Sequence, residues 1–149
     1  GGASEEAIRV SLVERYPRSS YLLADKLPSW IIRNKDDCHK IFEKQLSRCG
    51  VDFFDVYMLH WLNEVNYINA DFCGGFKFLK ELKSEGKILK SGFSFHDSAA
   101  FLDRFLTEHP EKFDPRDYQK MARLQMKELV RHKLRYVMGS VGKAEEGSL

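Results

Sequence analysis

Cysteine is scarce and badly spaced for crosslinking. The 149 residues hold three, Cys38, Cys49 and Cys73, an odd number with no close pair. That argues against a disulfide framework and against zinc, and without a C-x-x-C pair the chain offers no iron–sulfur site of its own. The cysteines read as reduced, and the protein as cytoplasmic. An excess of one charge is also missing: 24 basic residues stand against 22 acidic ones, a net of +2. This balance gives no reason to expect a nucleic acid or a membrane as partner. No apolar run approaches the roughly 20 residues of a membrane-spanning helix. The opening Gly1-Gly2-Ala3-Ser4-Glu5-Glu6 is too polar and acidic for a signal peptide. The initiating methionine is absent too, and a helix begins almost at once, as in a piece cut from something longer.

What is present is an ordinary globular composition, 43% apolar and 31% charged, at a length that suits one domain. Ser4 is placed to cap a first helix whose face is Ile8, Leu12 and Tyr16, and Pro17 stops it. A first strand is expected over 21–25, broken by Leu27-Pro28-Ser29. Asp36-Asp37 opens a helix with Cys38, Ile41, Phe42, Leu46 and Cys49 inside, and Gly50 ends it. Residues 51–59 form a second strand region, apolar enough to be covered on both faces. Residues 63–75 read as an irregular connection. A third helix runs from Phe76 to Gly86 and a third strand over 87–95. Asp97-Ser98 caps a fourth helix containing Phe101, Leu102, Phe105 and Leu106. Beyond Pro110 and Pro115 a helix is expected over 118–133. A last strand is expected over 134–141, weakened by Arg135 and Gly139, followed by a frayed tail.

Lys26, His60 and Ser94 each follow a short apolar run, and they lie 34 positions apart. A 34-residue period also suits tetratricopeptide repeats, but each unit here contains a β-type run and lacks the helix pair. Strand, polar tip, helix, repeated, is the pattern of a parallel α/β fold, whose chemistry gathers at the carboxyl ends of the strands. A closed (β/α)8 barrel needs about 200 residues. Three to four parallel strands with flanking helices make at most part of one, or a small open sheet.

Four motifs, in order, carry a family resemblance: Ala24-Asp25-Lys26-Leu27-Pro28-Ser29-Trp30, the stretch from Gln45 through Asp52 and Tyr57 to His60, Leu82-Lys83-Ser84-Glu85-Gly86-Lys87-Ile88, and Gly92-Phe93-Ser94-Phe95-His96-Asp97. Together they resemble an aldo-keto reductase, in particular the bacterial branch that carries an iron–sulfur cluster. The resemblance implies a (β/α)8 TIM barrel that binds NADPH, or NADH, and reduces a small aldehyde or ketone by hydride transfer. It implies a tyrosine as proton donor, a lysine that lowers the tyrosine's pKa, an aspartate paired with that lysine, and a histidine that orients the carbonyl. Lys26 matches the lysine and His60 the histidine. Ser94 matches the serine that touches the nicotinamide carboxamide, although Phe95 stands where an asparagine is usual.

By the same resemblance residues 1–114 are the central part of the barrel, second helix to fifth helix. Residues 115–149 are a divergent helix with a strand and tail. The tyrosine and aspartate belong before Gly1. The sixth strand has no visible counterpart, and the iron–sulfur cluster belongs to a C-terminal region missing from this chain. Tyr57 is no substitute for the tyrosine, because it sits in a strand interior. Trp30 and Trp61 suit either a substrate pocket or plain packing, Asp97 suits a helix cap, and the cysteines suit small apolar fillers. Two functions follow. One is an NAD(P)H-dependent carbonyl reductase. The other is a truncated, non-catalytic barrel fragment, a structural or assembly piece that self-associates through open sheet edges.

Overall fold

The computed structural model describes residues 2–112. The helix expected over 118–133, the strand over 134–141 and the boundary at 114 lie outside the described residues.

Helix α1 spans Ala3–Ile8 and continues into a π turn, Arg9–Val13. Its cap is Gly2 and not Ser4: Gly2 takes a left-handed backbone at φ 99°, which starts the helix two residues early and leaves Ser4 inside the first turn. Strand β1 is Ala24–Pro28, three residues later than the apolar run suggests. Leu22 is 82% exposed, so the first part of the run does not lie in the sheet. Residues before the strand are tied instead by Arg18, whose guanidinium donates to the Tyr21 carbonyl at 3.1 Å and to the Asp55 carboxylate at 2.5 Å. Pro28 is tolerated as the last residue of a strand at the sheet edge, where no ladder needs its missing N–H.

Helix α2, Lys35–Cys49, starts at Asn34, whose carboxamide accepts from the Asp37 amide at 3.1 Å. It ends at Gly50, left-handed at φ 70°, as the sequence indicates. Cys38, Phe42, Leu46 and Cys49 are buried along one stripe, and Gln45 is buried with them. Strand β2, Phe54–Leu62, runs three residues past the expected end. The segment read as irregular contains helix α3, Glu64–Phe72, whose cap Asn63 accepts from the Val65 and Asn66 amides. Ala70 alone is buried along it, while Val65, Ile68 and Phe72 are exposed. Tyr67, packed against the core, and Ala70 face inward, but the exposed Val65, Ile68 and Phe72 blur that stripe for a periodicity argument.

Helix α4, Gly75–Ser84, begins where a Cβ on Gly75 would meet the Ala70 carbonyl oxygen at 3.0 Å and Leu59 at 3.1 Å, so only glycine fits without a shift. Strand β3, Ile88–Phe95, and helix α5, Ala99–Glu108, follow. The α5 cap is Ser98, which accepts from the Phe101 amide at 3.1 Å. Asp97 does not cap that helix. Its carboxylate accepts from the Ser98 amide and, across the surface, from the Glu64 amide at 3.0 Å, joining the starts of α3 and α5.

The three strands form an open parallel sheet in the order β1-β2-β3, an α/β arrangement with helices between successive strands. The core lies on one face, where Phe42 of α2 meets Tyr57 at 4.9 Å and Phe54 at 5.8 Å, ring edge to ring face. Among the described residues no helix is long and apolar enough to cross a membrane. Because Phe42 is fully buried among these rings, Phe42→Ala is expected to destabilise the fold by about 3–5 kcal/mol. Exposed Val65→Ser should change it by less than about 0.5 kcal/mol. Urea unfolding midpoints of the two variants check both values.

Candidate functional site

The sheet register sets the site. Lys26 lies beside Met58, and Met58 beside Gly92; two residues on, Pro28 lies beside His60. Side chains alternate along a strand. Lys26, Met58, His60, Gly92 and Ser94 therefore share the face opposite buried Leu27, Leu59 and Phe93. The structure brings the three predicted residues to one rim, at the carboxyl ends of neighbouring strands.

Their surroundings differ. Among the described residues the Lys26 ammonium has no hydrogen-bond or carboxylate partner, while both polar groups of its peptide are held from below. Its amide donates to Asp25 Oδ1 at 2.8 Å, and its carbonyl accepts from Gln45 Nε2 at 2.9 Å. His60 is pushed below the ordinary imidazole value, first by burial, then by the Lys26 charge and by His96. It is therefore neutral near pH 7, a hydrogen-bond donor without a charge. Its backbone carbonyl accepts from the hydroxyl of fully buried Ser29. Ser29 sits in a loop that Asn69 of α3 holds, donating to the Ser29 carbonyl at 2.6 Å and to the Ile32 carbonyl at 2.9 Å.

Trp30 stands edge-on to His60 at 5.0 Å and to Trp61 at 5.6 Å. The two indoles are 43% and 47% exposed, so they line the rim instead of filling the core. Ser94 Oγ accepts from the Trp61 amide at 2.8 Å. A hydroxyl that accepts one bond retains its hydrogen for another partner, and Gly92 places no side chain beside Ser94 on this face of β3.

Beneath the rim lies a buried polar layer. The Tyr57 hydroxyl donates to Gln45 Oε1, and burial pushes it far above the ordinary phenol value. It cannot serve as an acid at the rim. Asp25 faces this layer and not the lysine ammonium; Oδ2 has no partner among the described residues. Burial, with some help from Glu5, raises its pKa from 3.8 to about 6. Among the described residues no group of three His, Cys, Asp or Glu side chains could hold a metal ion.

Sequence reasoning missed Gln45, Asn66 and Asn69. Gln45 did leave a signal, a polar residue on the apolar stripe of α2. The two asparagines left none, because their helix was not recognised.

The model of the aldo/keto reductase family matches residues 1–136. No curated protein sequence matches the chain. Among solved structures it is similar to an aldo/keto reductase from Brucella melitensis, at 23% identity and TM-score 0.55 over 70% of this chain and 39% of that one. It is similar to the holo form of an aldo-keto reductase from Bacillus halodurans, at 23% identity and TM-score 0.55 over 71% and 36%. An aldo-keto reductase from Klebsiella pneumoniae in complex with NADPH aligns at 28% identity and TM-score 0.51 over 65% and 31%. The first two likenesses show the fold: the open sheet corresponds to part of an aldo-keto reductase TIM barrel. The chain spans between 31% and 39% of the length of these three relatives.

Two titrations follow. The His60 ring is expected to titrate below about 6.5, and Lys26→Met should move it upward, though not fully, since burial is the larger cause. Proton NMR of the imidazole checks this, and an unmoved midpoint would contradict the shared face. The folded state favours neutral Asp25, so its contribution is complete below 3.8 and is lost as pH rises through about 6. Asp25→Asn should therefore unfold at a higher urea concentration than the native chain near neutrality, with the difference shrinking towards pH 4.

Proposed function

The chain belongs to the aldo/keto reductase family, and on that membership we propose that it supplies the lysine–histidine rim of an NAD(P)H-dependent carbonyl reductase. The single observation that carries the reading is the shared face of Lys26 and His60, close enough for the ammonium to shift the imidazole. A reduced nicotinamide, when bound, supplies the hydride. Ser94 donates its O–H to the carboxamide of that ring. His60, held neutral, aims an N–H at the oxygen of a small aldehyde or ketone. Lys26 stabilises negative charge developing on that oxygen and makes any neighbouring phenol a better acid. Trp30 and Trp61 keep the approach apolar. Residues 1–114 form the barrel part and 115–149 a divergent extension.

The family's proton-donating tyrosine and its lysine-pairing aspartate are not among the residues of this face. Tyr57 is buried and committed to Gln45, and Asp25 points to the opposite side. An iron–sulfur cluster does not fit the described residues, no step involves one, and the branch named for it rests on the motifs alone.

A second reading, a non-catalytic fragment that associates with copies of itself, is favoured by one observation. Both β1 and β3 are open edges among the described residues.

Lys26→Met in the complete enzyme is expected to lower kcat by about 10²–10⁴; full turnover would refute the role of Lys26. For the chain alone, NADPH titration followed by tryptophan fluorescence separates the readings. Micromolar binding supports the reductase rim, whereas no quenching at millimolar NADPH together with a concentration-dependent oligomer supports the fragment.

A further inference from the structure

Trp61 is the one non-glycine residue with positive φ among the described residues, at 58°. Left-handed backbone is costly for a bulky side chain, and such strain persists only where the surroundings over-determine it. Here they do. Trp61 falls in the register break of the β2–β3 pairing, between Leu59 and Leu62. Its amide donates to Ser94 Oγ at 2.8 Å, and its carbonyl accepts from Asn66 Nδ2 at 3.1 Å. Asn66 is itself anchored, its amide donating to the Asn63 carboxamide at 2.8 Å. Immediately beyond, the Leu62 carbonyl accepts from the His96 amide at 2.9 Å, and the ladder resumes. Both polar groups of Trp61 that a regular strand would give to its neighbour are taken by side chains, one from β3 and one from α3.

The consequence is directional. Strict alternation would send residue 61 to the face of Leu59, which is fully buried. The irregularity re-aims the side chain. The indole emerges half exposed at the rim, edge-on to Trp30, which in turn stands edge-on to His60.

We propose that Ser94 and Asn66 are positioning residues that clamp Trp61 in left-handed backbone, so that its indole and Trp30 form one rigid wall beside His60. The purpose of that wall rests on the reductase reading; the clamp itself does not. Ser94 thereby has two uses. Its lone pair holds Trp61, and its hydrogen, which meets no acceptor among the described residues, is left for the nicotinamide, so one hydroxyl ties the cofactor position to the wall. Asn66 has only the first.

The test uses the full chain. An edge-on indole pair 5.6 Å apart gives a coupled near-ultraviolet circular dichroism signal. Ser94→Ala and Asn66→Ala are expected to reduce it to the level of Trp61→Phe, while Ser94→Thr, which keeps the hydroxyl, retains it. An undiminished signal in both alanine variants overturns the clamp. A second measurement serves if those variants unfold. Glycine takes a left-handed backbone without strain and alanine does not, so Trp61→Gly should unfold at a higher temperature than Trp61→Ala; the reverse order overturns the clamp.

In the complete enzyme Asn66→Ala should raise KM for the carbonyl several-fold while leaving the Kd for NADPH unchanged, a split that a general loss of structure would not give. Full turnover in Lys26→Met alongside a collapsed optical signal in the alanine variants would refute the reductase reading and support the clamp. Impaired Lys26→Met beside an intact signal in both alanine variants would refute the clamp alone.

Discussion

Lys26 lies opposite Met58, and Met58 opposite Gly92, because three parallel strands are locked in one register by what covers their other face. Leu27, Leu59 and Phe93 point into the helices and are nearly or fully buried. A slip of one residue would exchange the faces, carrying an ammonium into the core and leucines into water. The apolar set therefore decides where the polar set emerges. No interaction between Lys26 and His60 is needed to bring them together, and their charges would in fact repel.

The polar layer beneath β1 refines that placement. Gln45 accepts from Tyr57 and donates to the Lys26 carbonyl, so a helix residue and a strand residue of β2 together hold the peptide of β1. The layer is not free of cost. Asp25 leaves one oxygen without a partner among the described residues and is raised to about 6. A buried network satisfied in all but one atom fixes a geometry at the expense of some stability. Here the geometry fixed is that of Lys26, whose ammonium has no hydrogen-bond or carboxylate partner among the described residues.

The parts of the fold legible in the sequence are those whose apolar residues face inward. Helix α2 showed its stripe from Cys38 to Cys49 and its glycine stop, and β3 was bounded almost to the residue. β1 was displaced because Leu22, apolar but exposed, counted as strand. Helix α3 was invisible for the same reason, with Val65, Ile68 and Phe72 turned to water. That omission concealed part of the site. Asn69 and Asn66 act on backbone carbonyls of Ile32, Ser29 and Trp61, and hydrogen bonds to distant backbone leave no pattern in sequence. The left-handed backbone of Trp61 was equally hidden, since no glycine marks it. Lys26, His60 and Ser94 stand out in the sequence because each follows an apolar run at equal spacing, and the strands β1, β2 and β3 do carry them.

The protonation states on the rim say what kind of ligand charge it suits. Two cations close together would bind a stable anion in its resting state. Burial and the nearby ammonium instead lower the His60 pKa, which favours a single cation beside a neutral donor. On the proposed reductase reading, a neutral carbonyl oxygen would gain one hydrogen bond there and little Coulomb energy. As negative charge built on that oxygen, both the N–H and the ammonium would interact more strongly. On that reading, the difference between the two states would come mainly from the Lys26 ammonium, while a neutral imidazole keeps the site from holding an anion in its resting state.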